Sequence, residues 1–100
     1  MPNLTVSVSH QLSQNEALRR IKRAVAQAKK QYSEKIDQLS ESWEDYVGTF
    51  IASAMKQKAS GTVNVKPTDV TVEIALPFFA SVFKPKIESG IRDALTRILA

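Results

Sequence analysis

His10 is the only histidine of the chain, and histidine is the side chain best suited to proton transfer near neutral pH. A general base also needs an orienting partner and a substrate within reach. Ser9 and Ser13 are near His10 in sequence, but the three do not make a triad. Its place between an alternating segment and a helix start fits a loop or pre-cap role better than catalysis. No cysteine is present, which excludes disulfides, thiolate metal sites and a cysteine nucleophile. One histidine cannot build a multi-histidine metal centre within one chain. Glu44 and Asp45 are adjacent carboxylates, but on a strand they point to opposite faces, a poor arrangement for acid–base work or a metal. No phosphate-cradling glycine loop, nucleophile elbow or dinucleotide fingerprint occurs. The expectation is a chain with no catalytic residue, no metal ligand and no cofactor.

Two groups of residues remain as candidates for binding. The stretch from Ser13 to Lys35 holds seven basic residues against Glu16 and Glu34, a net of +5 in a chain whose total is +4. Arg19, Lys22, Arg23 and Lys30 would form a basic surface for a polyanion. The plain alternative is a solvated helix face. Aromatic residues interleaved with the basic ones, which single-strand binders use for stacking, are nearly absent, with only Tyr32 following. This makes nucleic acid the weaker partner. Asp37, Glu41, Glu44 and Asp45 follow directly, so the basic and acidic stretches could attract each other within the fold or between subunits. The second group is apolar: Phe78, Phe79, Val82 and Phe83 on a short connector. Either two or three of them plug the end of the core, or they expose a patch for a protein partner or an apolar surface. Lys84 and Lys86 flank the patch as in an interfacial anchor, and Trp43 and Tyr46 could extend it.

These residues must be positioned by a small set of elements. Leu4, Val6 and Val8 alternate with polar residues, the period of a half-buried strand. Ser13 and Glu16 have capping-box spacing. Leu18, Ile21, Val25, Ala28 and Tyr32 then trace one apolar stripe of a helix from about Gln14 to Ser33. Ile36 to Ser42 has no clear period. Trp43 to Tyr46 reads as a strand with Gly48 as a turn or bulge. Thr49 to Met55 is a weaker strand because of its alanines. Gly61, Val63 and Val65 alternate, and Lys66-Pro67-Thr68-Asp69 has the chemistry of a tight turn. Val70, Val72, Ile74 and Leu76 form the clearest strand, predicted to pair with its predecessor as an antiparallel hairpin. Pro77 ends that strand, and Pro85 suits the first turn of a last helix. Ile87, Ile91, Leu95 and Ile98 mark its buried stripe. Gly90 lowers the propensity of that helix by about 1 kcal/mol relative to alanine, which a close packing contact would explain.

The order β-α-β-β-β-β-α predicts an α+β fold, one twisted antiparallel sheet with two helices packed on one face. The expected core is Leu18, Ile21, Val25, Val70, Val72, Ile74, Ile87, Ile91 and Leu95. The opposite sheet face carries Thr5, Ser7, Thr71 and Glu73; if it is not wholly polar, it is a natural place for a partner or for a second subunit in a homodimer. A length of 100 residues, 43% hydrophobic and 24% charged, fits a single domain over residues 1–100. No apolar run reaches the roughly 18–20 residues of a transmembrane segment. Met1-Pro2-Asn3-Leu4 lacks the basic start and apolar stretch of a secretory signal, so a cytoplasmic location is expected. A domain this size buries roughly 60–70% of the surface its unfolded chain exposes, which leaves little room for a deep enclosed site.

The pattern resembles the small bacterial family of polyhydroxyalkanoic acid system proteins, over nearly the whole length. The resemblance rests on the opening strand, on S-x-x-E-A-x-x-R-I from Ser13 to Ile21, and on Trp43 followed seven residues later by Phe50. It continues in Ser60-Gly61-Thr62-Val63-x-Val65 and in Val70-x-Val72-x-Ile74-x-Leu76-Pro77. It ends in Phe83-Lys84-x-Lys86-Ile87-Glu88-x-x-Ile91-x-x-x-Leu95. Where such families place glycine near the third strand, this chain has Ala54 and Lys56. The resemblance implies association with polyhydroxyalkanoate storage granules, as an accessory protein binding the granule surface or a granule-associated protein. It carries over no catalytic residue. A small nucleic-acid or polyanion binder using the basic first helix is the alternative.

Overall fold

The structure, a computed structural model, describes residues 3–35, 37–54 and 56–100. The first alternating segment forms β1 (Asn3–Ser9) and the capped helix is α1 (Gln14–Gln31). Four strands follow: β2 (Gln38–Glu44), β3 (Val47–Ala54), β4 (Gln57–Val65) and β5 (Asp69–Ala75). A short 3₁₀ segment (Phe78–Phe83) leads into α2 (Lys84–Ile98). The sheet order is β1-β5-β4-β3-β2 with every pair antiparallel. The order of elements and the α+β class are those expected.

Topology sets the path of α1. It leaves β1 at one edge of the sheet and must deliver the chain to β2 at the other. Five strands at about 4.8 Å spacing separate those edges by about 19 Å. Eighteen helical residues reach about 27 Å, enough to cross the sheet obliquely. The core sits under the first part of that crossing. Leu4 and Val6 of β1, Val65 of β4 and Val70 of β5 are fully buried against Ala17, Ile21, Leu95 and Leu99. Leu18, Val25, Val72, Ile74, Ile87 and Ile91 pack around it half-buried. The predicted core faces are therefore right, while the deepest residues include Ala17, Leu4 and Val65.

Several local readings change. The β2–β3 turn is Asp45-Tyr46, so Tyr46 is not a strand residue and Glu44 and Asp45 do not sit on opposite faces of one strand. Asp45 has φ of 54°, in the left-handed region that aspartate tolerates better than most residues. Gly48 is neither turn nor bulge. It lies inside β3 directly across from Trp43, and a Cβ there would stand 2.8 Å from the indole ring. The ring lies flat over the backbone, and only glycine admits it. Gly90 has nothing within 4 Å of where its Cβ would be, so close packing does not account for it. The end of the third expected strand, Met55, lies outside the described residues. Beside it Lys56 takes φ of 66°, in the left-handed region that favours glycine.

Candidate functional site

His10 is a structural residue in its contacts. It is 7% exposed. The Leu12 backbone N–H donates to its Nδ1 at 3.1 Å, so the other nitrogen, Nε2, donates to the Lys66 carbonyl at 3.0 Å. Its own backbone N–H donates to the Thr68 carbonyl at 2.9 Å. The β1–α1 connection is thereby tied to the β4–β5 turn. Ser13 Oγ accepts the Glu16 backbone N–H at 3.1 Å as the helix cap. The Glu16 carboxylate does not complete the capping box. Arg19 grips it through two hydrogen bonds, at 3.0 and 2.6 Å, and Arg20 adds a third at 2.9 Å. Charged donors outcompete a neutral backbone N–H for a carboxylate. The Arg19 guanidinium first, then that of Arg20, holds the Glu16 carboxyl down at about 2.

The basic face is partly engaged inside the fold. Arg19 and Arg20 hold Glu16, and Arg20 also donates to the Ile98 carbonyl at 3.2 Å and the Ala100 backbone oxygen at 2.6 Å. The Lys22 ammonium stands 5.2 Å above the Trp43 ring, a cation–π contact. Lys29 is ion-paired with Glu41 of β2, so the basic and acidic stretches do meet within the fold. Glu41 also accepts the Trp43 indole N–H at 2.6 Å. Lys29, ahead of Trp43, holds its carboxyl below the usual carboxylate range against the opposing effect of burial. Among the candidate cations, Arg23 and Lys30 have side chains with no ion-pair partner among the described residues.

Of the apolar candidates, Val82 is 75% exposed and Phe83 57%, while neighbouring Ala80 packs against the core. The side chains of Phe78 and Phe79 lie outside the described set. Trp43 and Tyr46 do not extend an exposed patch. Both pack half-buried against the core; Trp43 meets Phe50 edge-on at 5.8 Å, and the Tyr46 hydroxyl donates to Asn15 at 2.5 Å. The outer sheet face is polar, as expected, with Val47 and Ile51 exposed among serines and threonines.

The sequence reading missed a cleft of about 480 Å³ between the inner sheet face and the two helices. Register explains it. Leu39, Ala52 and Ala59 stand side by side across β2, β3 and β4, and Phe50, Gly61 and Ile74 form the next row across β3, β4 and β5. Three of those six inward positions are alanine or glycine, too small to fill the space beneath a helix. Above them α1 presents Val25, Ala28 and Tyr32, and α2 adds Ile91. The stripe on α1 thus divides: Ile21 is buried, whereas Ala28 and Tyr32 are exposed over the cleft. Among the described residues the one charged lining residue is Lys29, already neutralised by Glu41. The signal in the sequence was the run of small residues that weakened the strand reading of Thr49 to Met55.

Among the described residues no three histidine or carboxylate groups gather as a metal-ligand set, and no helix is long and apolar enough to cross a membrane. No curated protein matches the chain. A crystal structure of TTHA0849 from Thermus thermophilus is similar at 12% identity with a TM-score of 0.38, over 98% of this chain and 94% of that one. Residues 4–99 match the model of the family described as "Putative polyhydroxyalkanoic acid system protein", and the chain, having that pattern over nearly its whole length, belongs to this family.

Proposed function

We propose that this member of the family is a non-catalytic, cytoplasmic accessory protein of the polyhydroxyalkanoate system that works by contact with a granule surface or a granule-associated protein. The observation that carries the reading is the adjacent exposure of Val82 and Phe83 at the entry to α2, beside the exposed Lys86. Phe78 and Phe79 belong to the same candidate set by sequence. Burying a valine and a phenylalanine side chain is worth about 1.5–3 kcal/mol each, enough for a reversible surface contact and too little for a permanent one. Support for the non-catalytic part comes from His10, whose two ring nitrogens are committed to backbone groups. The polyanion reading is the weaker one. Arg19 and Lys22 are engaged within the fold, and Arg23 and Lys30 alone, contacting two phosphates, would give a salt slope of only about −2.

The test is co-sedimentation of the purified protein with native granules at low and high salt. Retention at high salt that Val82→Ser with Phe83→Ser abolishes is the expected outcome, because apolar burial is not screened. Unchanged retention in that variant, together with loss in Arg23→Glu with Lys30→Glu, would replace the granule contact with the polyanion reading.

A further inference from the structure

The cleft is a site distinct from the exposed patch, and we infer that it binds the acyl chain of an uncharged aliphatic ester. Its size falls within the roughly 300–1,000 Å³ of small-molecule sites. Its walls are aliphatic and aromatic, from Val25, Leu39, Phe50, Val63, Val72 and Ile91. Small inward residues open it: Ala52 faces Ala59 across β3 and β4, and Gly61 faces Phe50. Ala28 on α1 keeps the roof equally thin.

Charge selects the class of ligand. The single cation among the described wall residues, Lys29, is paired with Glu41, and Glu41 in turn is held by the Trp43 indole. A carboxylate carried into the cleft finds no unpaired cation among the described lining residues. An ester has no charge to compensate. Its alkyl chain gains from leaving water, and its carbonyl end can stay at the mouth. The same ion pair has a mechanical role, since it joins α1 to the edge strand β2 on one side of the cleft.

The experiment uses the whole chain and a series of straight-chain methyl esters from hexanoate to dodecanoate, titrated by displacement of a fluorescent polyene methyl ester. Saturable one-to-one binding is expected. Each added methylene should tighten it about three- to fourfold until the cleft is full. The free acid of each length should bind no more tightly than its ester. Ala59→Leu or Ala52→Leu, which place branched chains in the cleft, should weaken binding about tenfold or more, with a melting temperature at or above that of the parent. Val82→Ser with Phe83→Ser should leave ester binding unchanged, so the fates of the cleft and of the granule contact are read separately. Absence of saturable binding to the parent chain, or affinity independent of chain length, would overturn the inference. So would a free acid much tighter than its ester, or a parent chain that is dimeric and that Ala59→Leu turns monomeric, which would make the cleft a subunit interface.

Discussion

At the scale of single residues, chemical potential and actual use diverge. His10 had the one side chain fit for proton transfer, and its neighbours occupy both ring nitrogens with backbone groups of Leu12 and Lys66. Removing the ring leaves a part-buried N–H and a part-buried carbonyl without their partner, at a cost of about 1–3 kcal/mol. His10→Ala should therefore lower the stability measured by urea unfolding by that amount while leaving granule co-sedimentation intact. A variant as stable as the parent would mean that water replaces the ring at no cost. Glu41 shows the limit of reading residues singly. It is an acidic residue in an acidic run, and nothing in that run says that it faces inward on an edge strand. Register alone puts it opposite Phe50, and α1 supplies the lysine that makes the position tolerable. An inward charge on an edge strand also discourages pairing with another sheet.

At the scale of elements, what was legible followed from period, and what was not followed from small residues and turns. Period two gave β1, β5 and their faces, and the Lys66-Pro67-Thr68-Asp69 turn closes with the Lys66 N–H donating to the Asp69 carbonyl at 2.8 Å. The β2–β3 hairpin was obscure because its turn uses Asp45 in place of glycine, while the only nearby glycine, Gly48, serves the Trp43 ring. The β3–β4 turn was obscure for a related reason, with Lys56 in a left-handed conformation. Period cannot reveal that a continuous stripe on α1 has a filled half and an open half, because that depends on what lies across from it. Gly90 is the simplest element-scale test. It lies inside α2, exposed, with open space at its Cβ position and no positive φ. Alanine there keeps every contact and reduces the freedom of the unfolded chain. Gly90→Ala should raise stability by about 0.5–1 kcal/mol, read as a shifted midpoint at constant m-value. A loss of stability would reveal a packing role that the structure does not contain.

At the scale of the whole molecule, one half of the inner sheet face is sealed and the other is spanned. The sealed half joins Leu4, Val6, Val65 and Val70 to Ala17, Ile21, Leu95 and Leu99, all buried. Over the other half, α1 is tied to β2 by Lys29–Glu41 and Lys22–Trp43. Partly exposed ion pairs contribute about 0–1 kcal/mol and cation–π contacts at exposed sites about 0.5–1 kcal/mol, far less than the burial that anchors Ile21. Stability should accordingly fall from one side of the molecule to the other. Native-state hydrogen exchange should find the amides of β1, β5 and the centre of β4 open only with global unfolding. Those of α1 from Val25 onward should exchange through a local opening at least about tenfold faster, about 1.4 kcal/mol lower in free energy. Breaking the tie with Glu41→Gln should widen the difference without moving the global exchange of β5. Saturation with a long-chain ester should narrow it, since a ligand bound only to the closed form stabilises that form by mass action. Uniform protection along all of α1 would mean that the helix is held as firmly over the cleft as over the core, and the division of the molecule into a sealed and a spanned half would fall with it.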